Sequence, residues 1–487
     1  MRWWHRRVAP RMRCATAPRG ACAPRRFSTR ASASTAAPPT NAFEAWLRQR
    51  GLPQQPLALR AGARGRGLFA TSPLLRGAAL LRVPEALLLT RRRCIADAPP
   101  ELRSELEALP EWSCLAAFLA TQRHLGNASA WAPYLAQLPA QPGGLLSWPP
   151  GAAEALLRGT SLAPEAAARA ASVDAAAAAL PPQLLAAGAS PEAMRWAFAQ
   201  LFSRLIRLPG LDDTLALCPW ADFVNHTCAA DAAHLDWDAA ECAVVLRPGR
   251  AHAAGDEVLG SYGARSSGEL LLSYGFAPCA QPGSEAELNA PNETVTLRLR
   301  LRGADADAAA PLRAAAWAQA SGESDDGAAT FALRAGGGFA PGLLPWARLA
   351  AAQCADAVQA AALAAAAAEG RGQGALAQAR GSPPPRADDA AAWEFVLTAV
   401  RDALRGLDAA DAAAEAGPQQ QPAAAGKGSR AQAKAKPPAS KSKPQAAPPR
   451  LEPELVAAAA AVRRVERRVL QRAEFLIRAE LRTLARG

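Results

Sequence analysis

Two stretches decide how this chain is read: PWADFVNHTCAAD at 219–231 and GDEVLGSYGARSSGELLLSYGFAP at 255–278. The chain holds three Tyr, and two of them, Tyr262 and Tyr274, stand in the second stretch, each followed by Gly. In a composition so rich in Ala, their retention points to a need for the hydroxyl or the ring. Short apolar runs broken by Pro, Gly and Asp give strand character across 213–278. Tyr274-Gly275-Phe276 taken alone reads as a core aromatic at a strand end.

Working outward, the pattern upstream is helical. PEWSCLAAFLATQRHL puts Trp112, Leu115, Phe118 and Leu119 on one face, and MRWAFAQLFSRLIRL does the same with Trp196, Leu201, Leu205 and Leu208. A helical insertion is therefore expected at about 99–207. Before it, residues 57–90 alternate short apolar runs with Gly62, Gly65, Gly67 and Gly77, which suits hairpins. Asn41 is placed to cap a short helix through Phe43, Trp46 and Leu47. Downstream, 285–303 contains a clean alternating strand and the remainder reads as mainly helical. The Pro-, Gln-, Lys- and Ala-rich segment at about 406–450 has too little apolar surface to fold. From Glu452 an amphipathic helix resumes, read as a packing helix with a solvated basic face.

The length of 487 residues allows two or three domains. The net charge of +12 suggests nucleic acid until it is localised. Nine Arg precede Glu44 with no acid among them, and seven Lys or Arg occupy the acid-free stretch 416–450, which leaves the rest mildly acidic. A basic footprint is absent from the folding part, so neither nucleic acid nor a membrane surface is an expected partner. Residues 1–40 are rich in Arg, Ala and Ser and carry no continuous apolar core. That is the composition of an organelle transit peptide, with the plastid stroma favoured over the mitochondrion. The nine Cys are scattered, with no C-x-x-C pair, which argues for free thiols.

Several generic readings fail one by one. Asn225-His226-Thr227 fits a glycosylation sequon, but there is no secretory leader. His226, Cys228, His234 and Asp236 match no standard metal-ligand spacing. Gly62, Gly65 and Gly67 run in the reverse order of a dinucleotide-binding motif, and no helix follows.

Taken together and in order, GRGLFA (65–70), WAFAQLFSRL (196–205), DFVNH (222–226), SYG (261–263) and ELLLSYGF (269–276) resemble the SET domains of the Rubisco large-subunit methyltransferase group. Residues 110–139 resemble that family's insertion as well, so the similarity spans about 42–280. The resemblance implies an α+β fold: a SET-domain β-fold of short sheets with a helical insertion over 41–280, then a mainly α-helical substrate-binding-like domain over 281–487. It implies S-adenosyl-L-methionine as cofactor, a lysine side-chain amine as acceptor, a protein substrate as partner and a monomeric enzyme.

Residue by residue, the resemblance assigns Gly65, Arg66 and Gly67 to the turn that approaches the cofactor. Arg204 matches the Arg that holds the cofactor carboxylate, a task suited to a planar cation. Asn225 and His226 match the pair that holds the adenine and amino group, Tyr262 the catalytic Tyr, and Tyr274 the aromatic that completes the pocket. Ile206, Ala221 and Asp222 fall beside the expected lysine slot. The apolar or small residues Leu205, Ile206 and Ala221 favour an aliphatic stem over an imidazole, which needs a partner to fix its tautomer. No metal is expected. Arg64 departs from the pattern, because relatives often carry an acid there near the cofactor's ammonium group. The absence of flanking Cys clusters favours a non-histone target, such as the Rubisco large subunit or a sugar-phosphate aldolase. The competing readings are the same enzyme acting on a cytosolic or nuclear protein, and a weakly catalytic SET-like binding platform.

Overall fold

A computed structural model describes residues 40–280, 284–301, 309–321, 327–352, 357–372, 389–415 and 452–486. The expected leader, but for Thr40, and the segment 416–450 lie outside them. The chain divides into two compact units. The first runs up to Ala153 and adds Leu162–Thr294 and Arg334–Gly336; the second takes Glu154–Ser161, Val295–Leu333 and Gly337 onward. The division thus falls after Thr294 rather than at 280, and a short piece of the insertion belongs to the second unit.

In the first unit, β1 (Leu57–Gly62) and β2 (Gly65–Ala70) form an antiparallel hairpin with Gly62 opposite Gly65. Gly65 closes the turn at φ +88°, a conformation that glycine adopts without strain. Next come β3 (Leu81–Pro84) and β4 (Leu89–Thr90), then, beyond the helices, β5 (Ile206–Leu208), β6 (Thr214–Leu217), β7 (Asn225–His226), β8 (His234–Asp238), β9 (Ala243–Arg247) and β10 (Leu259–Gly260). They form three-stranded sheets in the orders β3-β9-β8 and β4-β6-β5, and a two-stranded parallel pair β10-β7. The hairpins expected across 57–90 are therefore one hairpin only. Leu81 and Val83 turn their buried side toward the core with Arg82 outward, and their partner strand is the distant AVVLR of β9. Central β9 buries four consecutive residues, so its apolar run is continuous rather than alternating.

Helices begin at Arg91–Asp97 and end at Pro191–Arg204, so the insertion opens slightly before 99. Helix Glu111–Leu125 buries ten of its residues at the centre of the core. Full burial of each Leu or Phe there contributes about 1.5–3 kcal/mol. Ser190 caps Pro191–Arg204 by accepting from the Ala193 N–H, with Pro191 opening the first turn.

One expectation of strand is overturned. Residues 267–274 form a helix, started by a capping box in which Ser266 and Glu269 exchange hydrogen bonds and stopped by Gly275 at φ +85°. A side chain at 275 would also strike the Gly143 carbonyl, 2.0 Å from its Cβ position. Tyr274 is thus the last residue of a helix and not a strand end. The alternating strand expected within 285–303 is β11 (Thr294–Arg300), preceded by a short helix at Ser284–Asn289.

The second unit pairs β11 with β12 (Ala328–Arg334) and adds helices Ala310–Ser321, Leu343–Ala351, Ala357–Gly372, Asp389–Glu415 and Pro453–Leu484. Trp346 sits at its centre among Trp317, Phe331 and Phe395. The segment expected to lack structure from 406 is helical through Glu415: Leu407 and Ala410 are buried, and Asp411 pairs with Arg467 at 2.7 Å. Among the described residues no helix is long and apolar enough to cross a membrane.

Candidate active site

One wall of the site is built on a buried carboxylate. Helix Pro191–Arg204 ends by delivering Arg204, whose Nη1 lies 3.2 Å from the Asp222 carbonyl and 3.5 Å from its Oδ2. The Asp222 side chain is 1% exposed and also accepts from the Tyr134 hydroxyl at 2.8 Å. Burial pushes its carboxyl up, opposed by Arg204, Tyr134 and Arg66. At 3.5 Å an ion pair gains about 5 kcal/mol in an effective dielectric near 20. Burying the carboxylate costs several kcal/mol, so the added partners decide the balance. Its Oδ1 has no hydrogen-bond partner among the described residues.

Arg66 approaches the same centre from β2. Nη1 donates to Gln137 Oε1 at 2.8 Å, Nη2 donates to the Gln137 carbonyl, and the guanidinium lies 5.3 Å over the Phe223 ring. Burial, then the neighbouring Arg204, lowers its pKa, while Asp222 raises it. Two cations therefore face one buried carboxylate.

The middle of the site is β7. Asn225 donates from Nδ2 to the Arg66 carbonyl at 3.1 Å and to Glu257 Oε1 at 2.8 Å. Gly67 makes room for both: a Cβ there would lie 2.4 Å from Glu257 Oε1 and 2.8 Å from Asn225 Nδ2. Arg64 is engaged by acids on this side, 3.2 Å from Glu285 and 3.9 Å from Glu257. Glu285 also accepts from the Thr227 hydroxyl and the Cys228 N–H. Burial pushes its carboxyl up, but those hydrogen bonds and Arg64 outweigh it and leave it below its ordinary range.

The other wall is aromatic. His226 and Tyr262 rings lie 4.9 Å apart, Tyr262 and Tyr274 4.7 Å, and Phe276 is 5.8 Å from His226. Tyr262 is fixed at both ends, its N–H donating to His226 Nδ1 at 3.1 Å and its hydroxyl to the Val224 carbonyl at 2.8 Å. Burial brings the His226 pKa down to about 4, with Glu285 opposing. Geometry agrees: with Nδ1 accepting, the single ring proton sits on Nε2, which faces Cys228 Sγ at 3.4 Å. Burial, then Tyr274, raises the Tyr262 phenol, and Arg204, Asp222 and Glu257 all bear on it. Both walls thus meet at Tyr262.

Of the residues singled out in the sequence, Arg66, Arg204 and Asp222 come together on the first wall, and His226, Tyr262 and Tyr274 on the second. Asn225 and Gly67 lie between them; Gly65 shapes the turn. Ala221 is buried in the short turn before Asp222, and half-buried Ile206 opens β5, paired with Ala216. The surroundings of Ala221 are less apolar than its neighbours in sequence suggest, because Asp222 and Tyr134 stand there. Of the four residues weighed as metal ligands, His226 and Cys228 touch, whereas His234 and Asp236 are exposed on β8. Tyr134, Gln137, Glu257 and Glu285 escaped the sequence reading. Tyr134 was signalled by the same scarcity that singled out the other two Tyr.

The SET domain family matches residues 65–263. Among solved structures, the SET domain of LSMT bound to lysine and AdoHcy is similar at TM-score 0.63 and 21% identity, over 91% of each chain. Rubisco LSMT bound to sinefungin and monomethyllysine follows at TM-score 0.62 and 21% identity, over 90% of this chain and 91% of that one. Rubisco LSMT bound to AdoMet stands at 0.61 and 20%, over 90% and 91%. No curated protein sequence matches significantly. The chain carries a SET domain at 65–263, within an α+β fold that it shares with Rubisco LSMT.

Proposed function

We propose that this protein is an S-adenosylmethionine-dependent protein-lysine N-methyltransferase acting on a non-histone protein of the plastid stroma, such as the Rubisco large subunit or an aldolase. The observation that carries the reading is the charge excess on the first wall: Arg204 pairs with the buried carboxylate of Asp222, and Arg66, held by Gln137, is a second cation near enough to bear on both. That excess suits a ligand bearing its own carboxylate, and Arg offers the planar fork that binds one. Across from it, His226, Tyr274 and Phe276 offer ring faces for a purine. The residues present therefore fit the group that the neighbouring structures contain.

When bound, the cofactor supplies an electrophilic methyl on a sulfonium. The chain's own part is to position and to exclude water. Tyr262 and the Val224 carbonyl that it engages place oxygen atoms at the junction of the walls, where polarised methyl hydrogens are best accommodated. His226 is neutral at pH 7 and acts as a hydrogen-bond partner rather than an acid. Ile206 and Ala221 offer an aliphatic stem apolar surface, and transfer of an ammonium out of water beside a cation lowers its pKa and frees the lone pair. Arg64, which would otherwise oppose the cofactor's ammonium, is held by Glu285 and Glu257. The plastid assignment is supported by the leader composition of residues 1–40.

The test is transfer of tritiated methyl groups from S-adenosylmethionine into a stromal extract, with hydrolysis to identify the labelled residue. Label is expected in methyllysine, and Tyr262→Phe should slow transfer by roughly two decades or more. Label confined to other residues would refute the lysine assignment.

A further inference from the structure

Glu257 has entered so far only as an acceptor for Arg64 and Asn225, yet it is placed with unusual care. Val258 N–H donates to the Leu68 carbonyl and Ala70 N–H to the Asp256 carbonyl, which lays 256–258 along β2. The Glu257 side chain is 12% exposed and enters a notch in the hairpin that exists because Gly67 lacks a side chain. A Cβ on Gly67 would lie 2.4 Å from its Oε1, and one on Gly62 would lie 3.6 Å from its Oε2. The notch commonly credited to the cofactor is thus partly filled by the chain's own carboxylate.

That carboxylate reaches one polar partner besides Arg64, the Asn225 amide. A side-chain amide has two nearly identical ends, and its neighbours decide which end points where. Here Nδ2 faces two groups that only accept, the Arg66 carbonyl at 3.1 Å and Glu257 Oε1 at 2.8 Å. Turning the amide over would set Oδ1 against both, with no donor to meet it. Oδ1 is left facing away, and it accepts no hydrogen bond among the described residues.

We infer that Glu257 is a positioning residue that locks the Asn225 amide with Oδ1 presented as an acceptor for the ammonium group of the cofactor's amino acid end. The inference rests on the cofactor reading above. Glu257 touches no reacting atom; it acts through Asn225, and Gly67 makes the room that admits it. The two ends of the zwitterion are then sorted by two different devices: the Arg66–Arg204 excess for the carboxylate, and an oriented amide for the ammonium.

The test is calorimetric titration with S-adenosylhomocysteine and with its analogue lacking only the amino group. In Glu257→Gln, residue 257 can donate as well as accept, so the amide is held one way by the Arg66 carbonyl alone, at its longer contact of 3.1 Å. Affinity for S-adenosylhomocysteine is expected to fall about tenfold, with the deamino analogue changed less than about twofold. Glu257→Asp, which withdraws the carboxylate by one methylene and keeps the charge, should show the same selective loss and serves if the Gln variant does not fold. In an Asn225→Ala background, where no amide remains to orient, Glu257→Gln should have no further effect on the ratio of the two affinities. Equal weakening of both ligands, or no weakening of either, would overturn the inference while leaving the cofactor reading intact. A wild-type protein that bound neither ligand would remove both.

Discussion

The two walls of the site are built by different means. The cationic wall is gathered from across the first unit: Arg66 meets Gln137 over a separation of 71 residues, and Tyr134 meets Asp222 over 88. It is held by buried charge, and each member depends on the others. The aromatic wall comes from a short span, His226 to Phe276, and is held by ring packing and two hydrogen bonds to Tyr262. The first wall should fail steeply when one member is lost, because an orphaned buried charge is costly. The second should lose function before it loses stability. Electrostatic walls are therefore rigid but brittle, and packed aromatic walls tolerant but exacting in geometry.

Arg204→Ala sharpens that contrast most. It leaves Asp222 buried with its principal cation gone and should destabilise the protein by roughly 3–5 kcal/mol in denaturant unfolding. Adding Asp222→Asn should recover part of the loss, since the uncompensated charge disappears with it; a strictly additive double variant would contradict the account.

His226 gives the next effect, and it appears as pH dependence. Its folded pKa of about 4 lies below the unfolded value near 6.5, so the unfolded chain binds more protons between these limits. The contribution of the neutral ring is fully present above about pH 6.5 and is lost as the pH falls through 4, amounting to about 3 kcal/mol at most. His226→Asn, which keeps an acceptor for the Tyr262 N–H, should flatten that part of the stability profile. An unchanged slope would mean that other groups produce it.

The smallest effect falls between the walls. Gly67→Ala forces a methyl against Glu257 and Asn225 and should cost about 1–2 kcal/mol, measured by the unfolding midpoint. A neutral outcome would mean that the Glu257 end swings clear.

The same contrast explains what was legible in the sequence. His226, Tyr262 and Tyr274 sit in ordered motifs within one stretch, so the resemblance could assign them residue by residue. Arg204 and Arg66 were legible as cations, but the carboxylate that bears on both was not, because nothing local ties 66, 134, 137 and 222 together. A helical insertion between strand-rich segments was legible from the pattern, and the family resemblance supplied the α+β class. Residues 267–274 were misread because an apolar run bounded by Gly suits strand or helix equally. The S-x-x-E capping box at Ser266–Glu269 was the deciding signal. Pairings such as β3 with β9 depend on contacts that no turn signal announces.

The central claim is that both walls enclose one zwitterionic nucleoside ligand, and a crystal structure of the protein with S-adenosylhomocysteine tests it most directly. The account predicts the ligand carboxylate within hydrogen-bonding distance of Arg204 or Arg66, its purine against the His226, Tyr274 and Phe276 rings, and its sulfur beside the Tyr262 hydroxyl. A ligand bound with its carboxylate turned away from both guanidinium groups, or bound outside the two walls, would contradict it.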